Sequence, residues 1–422
     1  MDRANFTVEQ QRHLTRLPSG VWAYVPPPLP PAIDTGGRLA VLNGRAERAL
    51  GHLGGVAYRL PDPYLLIGPF SRREAVLSSR IEGTVASLTD LVQYEAGATR
   101  QQSGPSDVLE VSNYVRALNW GLAPEQELPL SKRLVRGLHH ILMTNVRGRE
   151  RTPGDFRTYQ NHIGRPGSKI EDALYVPPPP AELTRTLDEF EEFLHENNDL
   201  PDLIRLALIH YQFEAIHPFG DGNGRVGRLL ISLLLVKQAI ISEPMLYLSA
   251  FFDRHRADYY ELLLRVSTDG DWPAWIAFFL EGVADQATDA VQRATELLEL
   301  REEYRSRLMT KRGSAALLRL VDEVFSRSAL TISRAREVLD VTPAWASRAV
   351  ERLVDAGIVK EVTGRERYRI YLPLEILGIL ERDYRRPDEL IEQLPLMPRA
   401  AGNEEVTVSP EPESPPPVRS RR

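Results

Sequence analysis

Between residues 209 and 238 the chain reads Ile-His-Tyr-Gln-Phe-Glu-Ala-Ile-His-Pro-Phe-Gly-Asp-Gly-Asn-Gly-Arg-Val-Gly-Arg, followed by an apolar run from Leu229. Gly220, Gly222 and Gly224 alternate with polar residues, which permits positive φ values and close approach of a ligand to the backbone. The run after the loop predicts a helix. Its first N–H groups lack intrahelical partners and form a ready anion site. Arg225 and Arg228, three apart on that helix, can both face one anionic ligand. Asp221 suits a bare phosphate poorly, but it makes sense with a hard cation such as Mg²⁺ in between. His217 titrates near ~6.5 when unperturbed and suits a general base. Together these residues predict a polyphosphate cradle beside a base, which is chemistry for moving a phosphorus-centred group onto a hydroxyl.

The elements needed to position that loop follow from periodicity. Leu203–Ile216 predicts a buried helix leading in. Arg38–Leu53, a helix from Ser71 or Arg72 through Ile81, Asp107–Trp120, Leu130–Met143 with Ser131 as N-cap, and Glu182–Asn197 also read as helices. Ser249–Val266, Trp272–Gly282 and Val283–Leu308 continue in the same style. His139 and His140 are adjacent, point to different faces and make a poor metal pair, so they read as surface or core polar residues. Ser78 and Glu82 share a helix face, and Gly83 is placed to end that helix in a left-handed conformation. Pro26–Pro31 holds five prolines, so residues 1–37 read as an irregular arm. Gly and Pro from Pro153 to Gly167 predict loop. Ile170–Val176 is short, part extended, and closed by Pro177–Pro180.

The string His217-Pro-Phe-Gly-Asp-Gly-Asn-Gly-Arg-Val-Gly-Arg228 matches without departure the signature His-x-Phe-x-Asp/Glu-Gly-Asn-Gly-Arg-x-x-Arg, and the chain resembles the Fic (Fic/Doc) family. Ser78-x-x-x-Glu82-Gly83 is similar to that family's N-terminal inhibitory motif, in which the Glu pairs with the second signature Arg. The resemblance implies a protein adenylyltransferase that takes ATP with Mg²⁺ (or Mn²⁺) and moves AMP onto a Ser, Thr or Tyr hydroxyl. His217 is then the catalytic base and Asp221 the metal ligand. Gly222, Asn223, Gly224, Arg225 and Arg228 are the phosphate-binding set. Glu82, with Ser78 and Gly83, is the inhibitory element holding Arg228. Ile170, Glu171, Asp172, Ala173, Leu174, Tyr175 and Val176 are the flap, a hairpin edge onto which a target segment adds as a strand. Tyr259 and Tyr260 resemble a position near the nucleotide base. Relatives that transfer other groups or remove AMP are the nearest alternatives.

After about residue 300 the character changes. Helices over Ala315–Phe325, Thr331–Asp340 and Pro343–Ala356, then strands at Ile358–Val362 and Tyr368–Tyr371 about Gly364, resemble a winged helix-turn-helix. Eight basic residues stand against six acidic between Thr331 and Tyr371, a balance of only +2. DNA and a protein partner, including a second copy of the chain as a homodimer, both stay open. A DNA-binding regulator with a nucleotide-sensing domain is the reading from another functional class. From about Pro387 the chain turns Pro-, Glu- and Ser-rich and predicts a disordered tail.

The expected fold class is mainly α, a Fic helical domain with a small β-hairpin flap followed by a small α+β winged-helix domain. The expected divisions are an arm at 1–37, the catalytic domain at 38–300 with the inhibitory helix around 70–83, a linker helix and winged helix at 301–386, and a tail at 387–422. With 422 residues, 42% apolar content and a net charge of −6, the chain can bury sizeable cores and is a poor wholesale nucleic-acid binder. It has no cysteine, which excludes disulfides, thiolate catalysis and Cys-ligated zinc. No secretory pattern opens the chain and no run approaches the ~20 residues of a membrane span, so a cytoplasmic protein with no membrane partner is expected. The expected partner is a protein target with a modifiable hydroxyl, with the chain itself among the candidates.

Overall fold

The computed structural model describes residues 1–59, 64–97, 106–123, 129–147, 152–165, 167–196, 198–309 and 314–382. The tail expected from 387 lies outside these residues. At the centre stand two helices hydrophobic on nearly every face, α7 (Asp202–Ile216) and α8 (Asn223–Lys237). A helix apolar all round must be enclosed by others. The enclosing helices that precede them are α1 (Gly37–Arg59), α2 (Tyr64–Ile81), α3 (Leu88–Glu95), α4 (Ser106–Leu122), α5 (Lys132–Leu142) and α6 (Pro180–His195). Those that follow are α9 (Ser249–Arg254), α10 (Arg256–Asp269) and α11 (Trp272–Met309). The two C-terminal helical readings over 272–308 are therefore one continuous helix. Its Trp275 indole N–H donates to the Ala207 carbonyl at 2.9 Å, tying this long spine to α7.

Local signals account for the helix ends. The Ser131 hydroxyl accepts from the Leu134 N–H at the start of α5, as an N-cap should. α3, which the periodicity did not predict, is set by a capping box between Ser87 and Asp90. α2 begins earlier than predicted and runs through Pro69. At its other end Gly83 has φ +87°, the Thr84 N–H reaches the Ser79 carbonyl at 3.1 Å, and the Gly83 N–H reaches Arg80 at 2.9 Å. This is the Schellman pattern that glycine makes inexpensive.

The arm is ordered. β1 (Leu14–Arg16) pairs antiparallel with β2 (Trp22–Tyr24), Leu14 opposite Tyr24. Leu17, Val21 and Ala23 of this hairpin are buried against Ala173 and Val176. The Tyr24 N–H donates to the Val176 carbonyl at 2.8 Å, and Gln212 of α7 donates to the Pro27 carbonyl at 2.9 Å.

The C-terminal part comprises α12 (Ser314–Arg327), β3 (Leu330–Thr331), α13 (Ile332–Leu339), α14 (Pro343–Asp355), β4 (Lys360–Glu361), β5 (Ile370–Leu372) and α15 (Leu374–Glu381). Its antiparallel sheet has the order β3-β5-β4, and β3 was not anticipated. Residues 1–382 form one unit by contact, and α12 packs on α2. Gly68 of α2 lies so close to α12 that a Cβ would meet the Ser326 carbonyl oxygen at 2.3 Å. Arg72 donates to that same carbonyl at 3.0 Å, and Arg73 donates to the Leu380 carbonyl at 3.0 Å. No described helix is long and apolar enough to cross a membrane.

Candidate active site

α7 ends where the chemistry begins. His217 is its C-cap, in the left-handed region at φ +49°, with its N–H donating to the Phe213 carbonyl at 3.0 Å. A carbonyl can only accept, so the 3.3 Å contact from Nδ1 to the Glu214 carbonyl puts the proton on Nδ1 and leaves Nε2 as the acceptor. Burial, and then the charge of Arg157, push the His217 imidazolium down to about 4. The ring is therefore neutral near pH 7, as a base must be. It opens on a cleft of about 1170 Å³ that is also lined by Gly220, Tyr159, His162 and Arg136.

The loop after His217 is held from several sides. The Asn223 side chain accepts from the Phe219 N–H at 2.8 Å and donates to the Phe219 carbonyl at 2.9 Å. The side chain thus pins the loop at Phe219. Asn161 donates to that same carbonyl at 2.9 Å. Gly222 has φ +76°, and a Cβ there would meet Met143 Sδ at 2.9 Å, so both conformation and space demand glycine.

Two residues that sequence reasoning did not assign to the site support this loop. His139 of α5, 1% exposed, stacks on Phe219 with ring centroids 3.7 Å apart and planes 10° off parallel. Its Nδ1 accepts from the Gly154 N–H at 2.9 Å, which leaves Nε2–H to donate to the Asp221 carbonyl at 3.1 Å. Burial first, and nearby charges after it, hold its imidazolium down at about 4. Arg157, 4% exposed, donates to the carbonyls of His217 at 2.9 Å and Pro178 at 2.6 Å. Burial pushes the Arg157 guanidinium down to about 10, still charged at neutral pH. Neither role can be read from spacing, because the contact that brings each to the loop is distant in sequence: His139 to Asp221 spans 82 residues and Arg157 to His217 spans 60.

The first turn of α8 is already faced by a carboxylate. A Cβ on Gly224 would sit 2.3 Å from Glu82 Oε1 and 3.0 Å from Arg228 Nη1. Arg228, buried within α8, donates through Nη2 to Glu82 at 2.6 Å, through Nε to the Ser78 hydroxyl at 2.8 Å, and to the Ser78 carbonyl at 2.9 Å. The two ends of the Ser78–Glu82 pair thus clasp one guanidinium. Burial alone pushes the Glu82 carboxyl up, but Arg228, by charge and hydrogen bond, more than offsets it and holds it below the ordinary range. Arg225 turns the other way, donating to Glu110 of α4 at 3.2 Å, with Asp221 at 3.7 Å. Its Nε is buried with no hydrogen-bond partner among the described residues.

Two further carboxyls back this cluster. Glu74, a turn before Ser78 and 2% exposed, accepts from the hydroxyls of Tyr114 at 3.0 Å and Ser249 at 2.6 Å. Burial pushes it up to about 7. Glu214 lies against Gly227 and is pushed up by burial to about 8. Tyr259 is buried and shares a 2.9 Å hydrogen bond with His210, whereas Tyr260 is 44% exposed and reaches the Ile81 carbonyl at 3.5 Å. Tyr259 therefore belongs to the core, and Tyr260 lies beside the end of α2.

A resident divalent cation has no cage of its own here. Asp221 is exposed, and no group of three His, Cys, Asp or Glu is placed to ligate a metal among the described residues. One solvent-facing carboxylate beside an anion site does fit Mg²⁺, which is ordinarily held by one or two carboxylates, substrate phosphates and water.

The expected flap, Ile170–Val176, is less regular than a hairpin. Ile170–Asp172 forms a 3-10 turn, and pairing is a single bridge between Ile163 and Tyr175, with N–H to carbonyl distances of 2.8 and 3.1 Å. Leu174 is exposed, whereas Ala173, Tyr175 and Val176 are buried. The Tyr175 hydroxyl donates to the Ala215 carbonyl at 2.9 Å, just ahead of His217.

This mainly helical fold, with a Gly-rich loop leading into the start of α8, defines the class of protein. Comparison identifies it further. The description "Fic/DOC family N-terminal" matches residues 41–123, and "Fic/DOC family" matches residues 129–235. The two matches together take in 190 of the 422 residues, all within the helical part. It is 27% identical over 178 residues to a protein adenylyltransferase Fic from Drosophila grimshawi, covering 42% of this chain and 33% of that protein. It is 32% identical over 130 residues to one from Culex quinquefasciatus, covering 30% of this chain and 23% of that protein. The matches thus span about a third or less of those relatives. A Fic family protein from Desulfovibrio desulfuricans shares the fold with TM-score 0.53 and 19% identity, covering 82% of this chain and 98% of that one.

Proposed function

We infer that this chain is a protein adenylyltransferase, transferring AMP from ATP to a Ser, Thr or Tyr hydroxyl of a protein target and restrained by its own Glu82. One observation carries the reading: a carboxylate lies against the first turn of α8, on Gly224 and Arg228, where a helix start would take an anion. The site thus favours negative charge, and its present occupant is one that a phosphate can displace. The likeness to adenylyltransferases supports the choice of nucleotide transfer.

In this mechanism His217 Nε2 takes the proton of the target hydroxyl. The hydroxyl oxygen forms a bond to the α-phosphorus while the α–β bridging bond breaks and pyrophosphate leaves. The backbone N–H groups of Asn223 and Gly224, with Arg225, and that of Gly222 once it leaves the Asp221 carboxylate it now donates to at 2.6 Å, meet the charge that develops on the phosphates. Arg228 takes the γ-phosphate once Glu82 has left it. Asp221 would hold Mg²⁺ (or Mn²⁺), which when bound neutralises phosphate charge. The flap edge around Leu174 offers backbone to a target strand. The test is incubation with α-labelled ATP and Mg²⁺, with peptide mapping of any labelled protein. Labelling by the Glu82→Gly protein and none by His217→Ala supports the reading. Absence of label from both overturns it.

We read the part from α12 to α15 as a winged helix. Its element order and the sheet order β3-β5-β4 support this, and α14 and the wing present Trp345, Arg348, Arg365 and Arg367 to solvent.

A further inference from the structure

The inhibitory contact is not made by Glu82 alone. The two residues after Gly83 are fastened to α4: the Thr84 hydroxyl donates to Glu110 Oε2 at 2.9 Å, and the Val85 N–H donates to Asp107 Oδ2 at 2.7 Å. Glu110 Oε2 is the same oxygen that receives Arg225 Nη1 at 3.2 Å. Arg147 closes the group from outside, donating to Glu110 Oε1 at 3.1 Å and to Asp107 Oδ1 at 2.8 Å. Thr84 and Glu110 are 3% and 4% exposed, so their bond is shielded from water.

We propose that Glu110 is a positioning residue that ties the inhibitory segment to the first signature arginine, making Thr84–Glu110 a second latch in series with the Glu82–Arg228 pair. This rests on the reading of Glu82 as inhibitory. Only Gly83 separates Glu82 from Thr84. The backbone of Glu82 is therefore held on one side by the Schellman closure of α2 and on the other by α4. With both sides pinned, Glu82 can leave Arg228 only by side-chain torsion. When the Thr84 hydroxyl bond opens, the 82–85 segment is left with the Schellman closure and the Val85–Asp107 bond alone, and Glu82 gains backbone freedom. One carboxylate thus senses both arginines: it orients Arg225 directly, and it restrains Arg228 through the segment that bears Glu82.

The test uses the full chain and α,β-methylene-ATP with Mg²⁺, titrated by calorimetry into wild type, Thr84→Val, Glu82→Gly and the double variant. Thr84 lies outside the phosphate-binding set, so a merely structural role gives the same effect in both backgrounds or none. The latch predicts about 5-fold tighter binding for Thr84→Val than for wild type, the size of one net buried hydrogen bond. It predicts less than about a 2-fold change when Glu82 is already Gly. Thr84→Ser should restore wild-type affinity. Asp107→Ala, which strips the Val85 N–H of its acceptor, should move affinity in the same direction as Thr84→Val. Wild-type affinity in Thr84→Val, or an equal shift in both backgrounds, overturns the latch. Failure of the Glu82→Gly protein to bind nucleotide removes the inhibitory reading itself and the latch with it, so the two failures are told apart.

Discussion

Arg228 and Glu82 are 146 residues apart in sequence and meet at 2.6 Å, with the carboxylate laid against the backbone of Gly224. The contact joins the end of one helix to the start of another. Its energetic weight comes from burial of the guanidinium, which is 2% exposed and must keep an anionic partner of some kind. The partner can change, and the charge cannot go unmatched.

Glu82→Gly should therefore bind ATP and Mg²⁺ at least about 10-fold more tightly than wild type, since the phosphate no longer competes with a carboxylate for one guanidinium. Calorimetric titration reads this directly, and unchanged affinity would count against competition at Arg228.

His217→Ala in the Glu82→Gly background should lower transfer by about 10² to 10⁴-fold with nucleotide affinity unchanged within about 2-fold. The imidazole touches the incoming hydroxyl rather than the triphosphate. A parallel loss of affinity would place His217 in binding instead.

The pH profile should be displaced. Because the His217 imidazolium is held down at about 4, the neutral form persists well below pH 6.5. The acid limb of kcat/KM should fall near pH 4, not near the ordinary histidine value. Glu82 raises this value slightly, so removing it moves the limb down, while Arg157→Gln removes a cation and moves it up. Rates of labelling from pH 4 to 8, with circular dichroism to confirm the fold, check both directions.

Much of this site was legible in the sequence, for a physical reason. The loop from His217 to Arg228 is contiguous, so glycine spacing, the helix start and the arginine pair are all local facts. The Ser78–Glu82 relation is likewise local to one helix. What spacing could not show was the support around the loop. His139 read as an ordinary polar residue because its value lies in stacking on Phe219, 80 positions away. Arg157 read as loop because its partners are carbonyls of other segments. The arm was undecided because its proline run forbids a helix but says nothing of the hairpin before it, whose apolar residues find their partners in Ala173 and Val176. α2 extends beyond its predicted start, where Gly68 packs against the Ser326 carbonyl of α12's C-terminal end, a contact more than 250 residues away in sequence.

His139→Ala should lower stability by about 1–3 kcal/mol, since it leaves the Gly154 N–H and the Asp221 carbonyl without their shared partner and opens space beneath Phe219. Because burial holds the folded ring at about 4 while an unfolded histidine titrates near ~6.5, wild type alone loses stability to proton uptake by the unfolded chain as pH falls through ~6.5, so the loss on His139→Ala should be about 0.8 kcal/mol smaller at pH 6 than at pH 8. Urea midpoints at the two pH values measure this.

Gly224→Ala should abolish nucleotide binding even when Glu82 is Gly. The added methyl fills the space against which Glu82 now lies, 3.0 Å from Arg228 Nη1. Retained binding would show that the phosphates sit elsewhere.

The helix that leads into Ser78 and Glu82 is gripped at its middle, through Arg72 and Arg73, by the carbonyls of Ser326 and Leu380. A fragment cut to the family boundaries, 41–235, would lose both grips along with the spine helix. Its inhibition would be that of a rod no longer clamped at mid-length. Regulation measured on such a fragment would describe the fragment, and the intact chain is the right object for any assay of its resting state.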